Sequence, residues 1–205
     1  MEDILDRNLR GMTEAVRRNE ITSVDLVQGF LDRIEKVNSS LNAVVSINTE
    51  IALKLAAKAD SDLKEGIVHG PLHGIPMTIK DSLDTKDMVT TWGTKGRETF
   101  RPGRDATSVA RLRDAGAILL GKTNTPEFTL SFQTDNLVYG RTNNPYNLQM
   151  TPGGRSGGAP ALLAPNPIPF DTGTDPDGRL RSPAPPRCIP SPNHTTTRAP
   201  VPRHA

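Results

Sequence analysis

Hydrophobic positions follow two different periods along the first 159 residues. Leu26, Val27, Phe30, Leu31, Ile34 and Val37 recur every three or four residues, which keeps them on one face of a helix. Thr22, with Asp25 three residues on, forms a weaker version of a capping box at its start. Ile51, Leu55, Ala56, Ala59 and Leu63 repeat the helical spacing over residues 49–64. Between them, residues 42–47 are a short apolar run that predicts a strand. Ile75, Met77 and Ile79 alternate with period two, and Pro76 marks the start of that strand or an edge. Asp105 stands where it could cap a helix through Val109, Leu112 and Arg113, which Gly116 ends. Ala117-Ile118-Leu119-Leu120 then predicts a buried strand. Strand, helix, strand over this length implies a parallel pair with a crossover. Residues 168–174 are one more candidate strand. The expectation is an α/β fold.

This patterning fades towards the C-terminus. Six of the 18 prolines lie in residues 1–159 and twelve in residues 160–205. The last lysine is Lys122, the last acidic residue Asp177, and the only aromatic after Tyr146 is Phe170. A stretch with so little to bury cannot offset the entropy of ordering it. The expectation is a folded domain over residues 1–178 and a disordered, low-complexity tail over 179–205. A net charge of +2 argues against nucleic acid as a partner, and one cysteine excludes a disulfide framework and a cysteine-based zinc site. A reducing, cytoplasmic compartment follows as the simplest reading. The longest apolar runs fall far short of the roughly 18 residues of a membrane span, and no motif suggests a metal or organic cofactor.

Three segments carry candidate chemistry. In Gly74-Ile75-Pro76-Met77-Thr78-Ile79-Lys80-Asp81 a lysine ends an apolar strand. A buried lysine loses solvation, which favours the neutral amine and makes it usable as a base. The plainer alternative is a strand-end lysine paired with Asp81. In Thr151-Pro152-Gly153-Gly154-Arg155-Ser156-Gly157-Gly158 four glycines allow backbone conformations closed to other residues and let N–H groups approach a substrate. A flexible linker or a passing anion site would need no more. Gly173-Thr174-Asp175-Pro176-Asp177-Gly178-Arg179-Leu180-Arg181-Ser182-Pro183-Ala184 by itself is a turn-rich loop.

Together these segments resemble the amidase signature family, serine hydrolases that cleave carboxamides. The family pattern runs Ile-Lys-Asp, then Thr-Pro-Gly-Gly-Ser-Ser-Gly-Gly, then Gly-Thr-Asp-x-Gly-Gly-Ser-Ile-Arg-x-Pro-Ala. Residues 121–128 and 139–146 are similar to the family as well. The resemblance covers about residues 5–184. It implies a mixed sheet flanked by helices, truncated here to about the N-terminal half, with an amide as substrate. Lys80 then matches the general base. A bridging serine on a cis peptide bond passes its proton, a second serine attacks the carbonyl, and backbone N–H groups stabilise the oxyanion. The amidase subunit of a tRNA-dependent amidotransferase is the alternative within the family.

The pattern breaks at both serine positions. Arg155 stands at the bridging serine, so Ser156 matches only the following one, and Arg179 stands at the nucleophile. Arginine has no hydroxyl and stays protonated. In the oxyanion loop of Asp175 to Gly178, Pro176 lacks an N–H, and Asp177 brings negative charge beside a developing oxyanion. Losing one oxyanion donor costs roughly 10²–10³ in rate. Ser156, Thr174 and Ser182 are weak substitutes as nucleophile. A shifted or misjoined reading frame, or decay of the gene, ranks above a selected anion-binding pseudoenzyme that uses Arg155, Arg179, Arg181 and Arg187. A chain holding half a family domain is also expected to expose strand edges and apolar faces.

Overall fold

The computed structural model describes residues 2–166 and 168–173. Helices α1 (Glu2–Leu5), α2 (Leu9–Arg17) and α3 (Ser23–Leu41) lead into strand β1 (Val44–Ile47) and helix α4 (Thr49–Lys64). Strand β2 (Pro76–Lys80), helix α5 (Thr107–Asp114) and strand β3 (Ile118–Thr123) follow. Helix α6 (Gly158–Leu163) and the short strand β4 (Asp171–Thr172) close the described part.

The first half folds where its periodicity places it. Thr22 Oγ1 accepts from the Asp25 N–H at 3.0 Å and donates to the Asp25 carboxylate at 2.7 Å, so the cap at the start of α3 forms. That helix buries Leu26, Phe30 and Ile34 completely. It ends at Asn42, which adopts φ 49° and closes the helix as a left-handed cap. The strand expected from residue 42 therefore starts only at Val44. The Asn38 side chain binds the Ala43 and Val44 N–H groups and the Val44 carbonyl, steering the chain from helix into strand.

The sheet order is β1-β3-β2-β4. The pair β2 and β3 is parallel and joined across α5, as strand, helix, strand predicts. Strand β1 runs antiparallel to β3, and β4 runs parallel to β2. Pro76 begins β2, yet β2 is not an edge, because Asp171 and Thr172 pair with Thr78 and Ile79 on its other side. The expected cap by Asp105 does not form: α5 starts after Ala106 without a side-chain cap. Asp105 instead accepts from the Lys86 N–H at 2.8 Å and pairs with Arg113 at 3.3 Å. Tertiary partners with more to offer than one helical N–H take the carboxylate.

Two apolar clusters sandwich the sheet. One joins Ile75, Ile118 and Leu120 to α3, α4 and α6. The other joins Met77, Ile79 and Leu119 to Val109 of α5 and to Met88. With Met77 and Ile79 facing the α5 side, Thr78 and Lys80 face the α6 side, since strand side chains alternate. The tail expected beyond residue 178, and its boundary, lie outside the described residues.

Candidate functional site

Lys80 ends β2, a strand buried along its whole length, and is itself fully buried opposite Thr123 of β3. With none of its surface exposed, its chemistry is set by the protein groups around it. The next residue, Asp81, does not use its carboxylate on the surface. It accepts from Thr91 Oγ1 at 2.5 Å and from the Thr91 N–H at 3.2 Å. Its Oδ1 also lies 3.9 Å from the Nζ of Lys122. Burial pushes the Asp81 carboxyl up to about 6, against the pull of Thr91 and of the Lys122 charge.

Lys122 is a second buried lysine, one strand over. Its Nζ donates to the Leu83 carbonyl at 2.6 Å, to Thr85 Oγ1 at 2.9 Å and to Thr90 Oγ1 at 3.1 Å. Burial lowers it to about 8, with Asp81 the strongest opposing charge. It pairs in register with Ile79 and so belongs to the α5 side, opposite Lys80. Sequence reasoning placed Lys122 only in a family-like stretch. The signal was present, because it stands one residue before the end of an apolar strand, much as Lys80 ends its own.

The glycine-rich loop is fastened near Lys80 by the chain that leaves β3. Gly153 and Gly154 have φ of 77° and 75°, a region that glycine enters without penalty. The Gly157 N–H donates to Thr134 Oγ1 at 2.9 Å, and Thr125 Oγ1 donates to the Arg155 carbonyl at 3.3 Å. The Gly158 N–H reaches the Asn124 carbonyl at 3.3 Å, so close that a Cβ on Gly158 would sit 2.7 Å from that oxygen. Asn124 and Thr125 are anchored in turn by the Asn136 side chain, at 2.8 Å to each. Asn124 also donates to the Gly140 carbonyl and to Thr142 Oγ1, which ties residues 140–142 to the end of β3.

Ser156 is fully buried, and its Oγ has no hydrogen-bond partner among the described residues. Arg155 is half-buried and lays its guanidinium over the Phe132 ring, 4.9 Å from the centroid. The peptide bonds of the described residues are all trans, so the cis bond implied by the resemblance is not found in this loop. Asp175, Gly178 and Arg179 lie outside the described residues.

The last described strand adds a group that sequence reasoning did not single out. Asp171 pairs in register with Thr78, and its Oδ2 accepts from Thr78 Oγ1 at 2.5 Å. Burial pushes this carboxyl up to about 6, while Thr78, Thr123, the Lys80 charge and the Thr172 N–H pull it down. Lys80, Thr78, Asp171 and Thr123 thus share one end of the sheet. A separate groove of about 410 Å³ lies elsewhere, between Leu55, Lys58, Asp62, His69 and Arg113. Within it Lys58 and His69 bind Asp62, and Arg113 binds Asp87. No helix among the described residues is long and apolar enough to cross a membrane.

Comparison with known proteins fits this geometry. A family model described as Amidase matches residues 25–186. The chain is 42% identical over 178 residues to a glutamyl-tRNA(Gln) amidotransferase subunit of Coxiella burnetii (strain RSA 493 / Nine Mile phase I), covering 87% of this chain and 37% of that protein. It therefore spans little more than a third of the length of the curated relatives it matches. Among solved structures it resembles the peptide amidase from Stenotrophomonas maltophilia, with a TM-score of 0.74 at 36% identity, covering 80% of this chain and 35% of that one. It also resembles fatty acid amide hydrolase, with a TM-score of 0.81 at 26% identity, covering 84% and 30%.

Proposed function

Because the chain belongs to the amidase family, we propose that it carries the general base of an amide-hydrolysing fold, Lys80, and is catalytically silent by itself. The observation that supports the assignment is the complete burial of Lys80 at the end of a central strand, beside a pinned glycine-rich loop. A base must meet its proton partner within hydrogen-bond reach, and a lysine removed from water is suited to that work when neutral. In this reading Gly153, Gly154, Ser156, Gly157 and Gly158 wall the substrate, with Asp175 and Gly178 in the oxyanion loop. The bridging and nucleophilic positions are Arg155 and Arg179. Neither guanidinium can relay a proton as a base or attack a carbonyl, so the acyl-enzyme has no route. The substrate class of the whole protein is a small carboxamide. The single cysteine supports a reducing, cytoplasmic compartment. The domain is taken to end at residue 178, ahead of the tail.

The test is ammonia release from simple carboxamides, together with labelling by a fluorophosphonate probe. No ammonia and no label are expected. Label that disappears in Ser156→Ala would make Ser156 the nucleophile and overturn the silent assignment.

The name of the Coxiella burnetii relative supports a second reading, in which the chain is part of a glutamyl-tRNA(Gln) amidotransferase. Co-purification of this chain with the other subunits of such an enzyme would favour it; failure to associate would remove it.

A further inference from the structure

The groove of about 410 Å³ is lined by none of the residues grouped around Lys80, and its size is that of a small-molecule site. Helix α4 buries Ala52, Ala56 and Ala59, which turns Ile51 and Leu55, four residues apart, to the groove with 39% of each exposed. Met88 extends this apolar lining. Both cations of the lining are already bonded: Lys58 Nζ reaches each Asp62 oxygen at 2.9 Å, and Arg113 reaches Asp87 at 2.8 Å and Asp105 at 3.3 Å. His69 Nε2 lies 2.6 Å from Asp62 Oδ2. The His69 and Lys58 bonds hold the Asp62 carboxyl below its usual range. An ionised carboxylate only accepts, so the shared proton sits on His69 Nε2. The neutral ring then carries a lone pair on Nδ1, to which no hydrogen bond forms among the described residues. Asp114, exposed at the last position of α5, has no ion pair among the described residues either.

The two groups left over, His69 Nδ1 and the Asp114 carboxylate, are both acceptors, and the lining sets three carboxylates against two cations. We propose that this groove binds an organic ammonium ion with an apolar body, a primary alkyl- or arylalkylamine in its charged form. The body packs on Ile51, Leu55 and Met88, and the N–H groups donate to His69 Nδ1 and, at the rim, to Asp114. An anion is disfavoured, because neither cation is free to meet it. Protonation of His69 fills Nδ1 and adds a like charge, so binding weakens as pH falls through the His69 midpoint. The groups that bear on that midpoint are Asp62 and Lys58 of α4, Arg113 and Asp114 at the end of α5, Asp87, and His73, whose ring stacks on His69 at 5.5 Å. His73 adds no charge: its Nδ1 accepts from the His69 N–H at 3.2 Å, and its Nε2 donates to the Ala59 carbonyl at 3.0 Å. The site uses neither Lys80 nor the glycine-rich loop, so it stands apart from the amide-hydrolysing reading.

The test is an NMR titration of the full chain with para-methylbenzylammonium, para-cresol and para-toluate, three probes with one body and different charge. The ammonium is expected to give saturable shifts of the Met88 methyl and the His69 ring, and to bind more tightly than the other two. His69→Phe should weaken it about three- to tenfold, the equivalent of one hydrogen bond. Asp114→Asn should weaken it about two- to fivefold, as for an exposed ion pair. Shifts that do not saturate, or cresol or toluate bound as tightly as the ammonium, overturn the proposal. Should His69→Phe not fold without its bond to Asp62, Asp114→Asn decides, since that exposed side chain bonds nothing else; an unchanged affinity overturns the site. In the wild-type chain the affinity should fall along the same pH curve as the His69 ring resonances, and an affinity indifferent to that titration overturns the role of Nδ1. A hydrolysis assay reads Lys80 and leaves these shifts untouched, so the two failures are distinct.

Discussion

Lys122 illustrates how a single buried charge organises its surroundings. Its three hydrogen bonds tie residues 83, 85 and 90 to β3, and its charge sits beside Asp81. Lys122→Met fills the volume but strands the Asp81 carboxylate, and breaking a buried pair in this way costs ~3–5 kcal/mol. A urea titration of the two proteins checks this, and an unchanged midpoint would remove the pair from the stability of the fold. The two raised carboxyls give the pH dependence its sign. Asp81 and Asp171 sit near 6 in the folded chain against an ordinary value of 3.8, so the folded state holds extra protons between those values. Their stabilising contribution is full below about pH 4 and is lost as pH rises through about 6. The urea midpoint should therefore be higher at pH 5 than at pH 7, and the difference should shrink in Asp81→Asn.

Elements depend on close backbone approaches that side chains would spoil. Strands β1 and β3 meet through an irregular register between Val44 and Ser46, and Gly121 faces that stretch. A Cβ at Gly121 would run into the Ser46 carbonyl oxygen, so Gly121→Ala must push β1 away. Overpacking of this kind costs ~1–3 kcal/mol. Amide exchange of β1 should accelerate well beyond that of β2, and uniform exchange across the sheet would contradict the account. The α3 cap has a smaller effect: Thr22→Ala removes the acceptor for the Asp25 N–H and should cost ~1 kcal/mol in the same denaturation measurement.

At the scale of the whole molecule the apolar surface is unevenly placed. Leu130, Phe132 and Leu137 are 69%, 63% and 78% exposed, all within one loop region beside the glycine-rich loop. Isolated apolar residues on a surface are ordinary, but such a concentration favours association. The chain is expected to bind a hydrophobic dye and to self-associate as its concentration rises in sedimentation. Leu130→Ser with Leu137→Ser should reduce both. A dye-silent monomer with a sharp melt would show that this surface carries no such tendency.

The sequence by itself determined the local elements and pointed to the positions proposed as reactive. Periodicity places α3, α4, β2 and β3, because burial of one face follows from spacing, although α4 buries Ala52, Ala56 and Ala59 and leaves the expected Ile51 and Leu55 exposed. The run ending at Lys80 and the glycines at 153 and 154 mark the site, because an apolar strand end and a positive φ each restrict which residues fit. The arginines at 155 and 179, where the family pattern has serines, were also readable, since a residue's identity needs no coordinates. Other features were decided only by tertiary structure. Pro76 could begin an edge strand or a central one until β4 paired with it, and Asp105 could cap a helix until Arg113 and Lys86 claimed its carboxylate. The division of two lysines and two carboxylates between opposite faces depends on a parallel register that joins residues about 40 or more positions apart. Pattern along the chain records which side chains must be buried, but only packing determines which charges they meet.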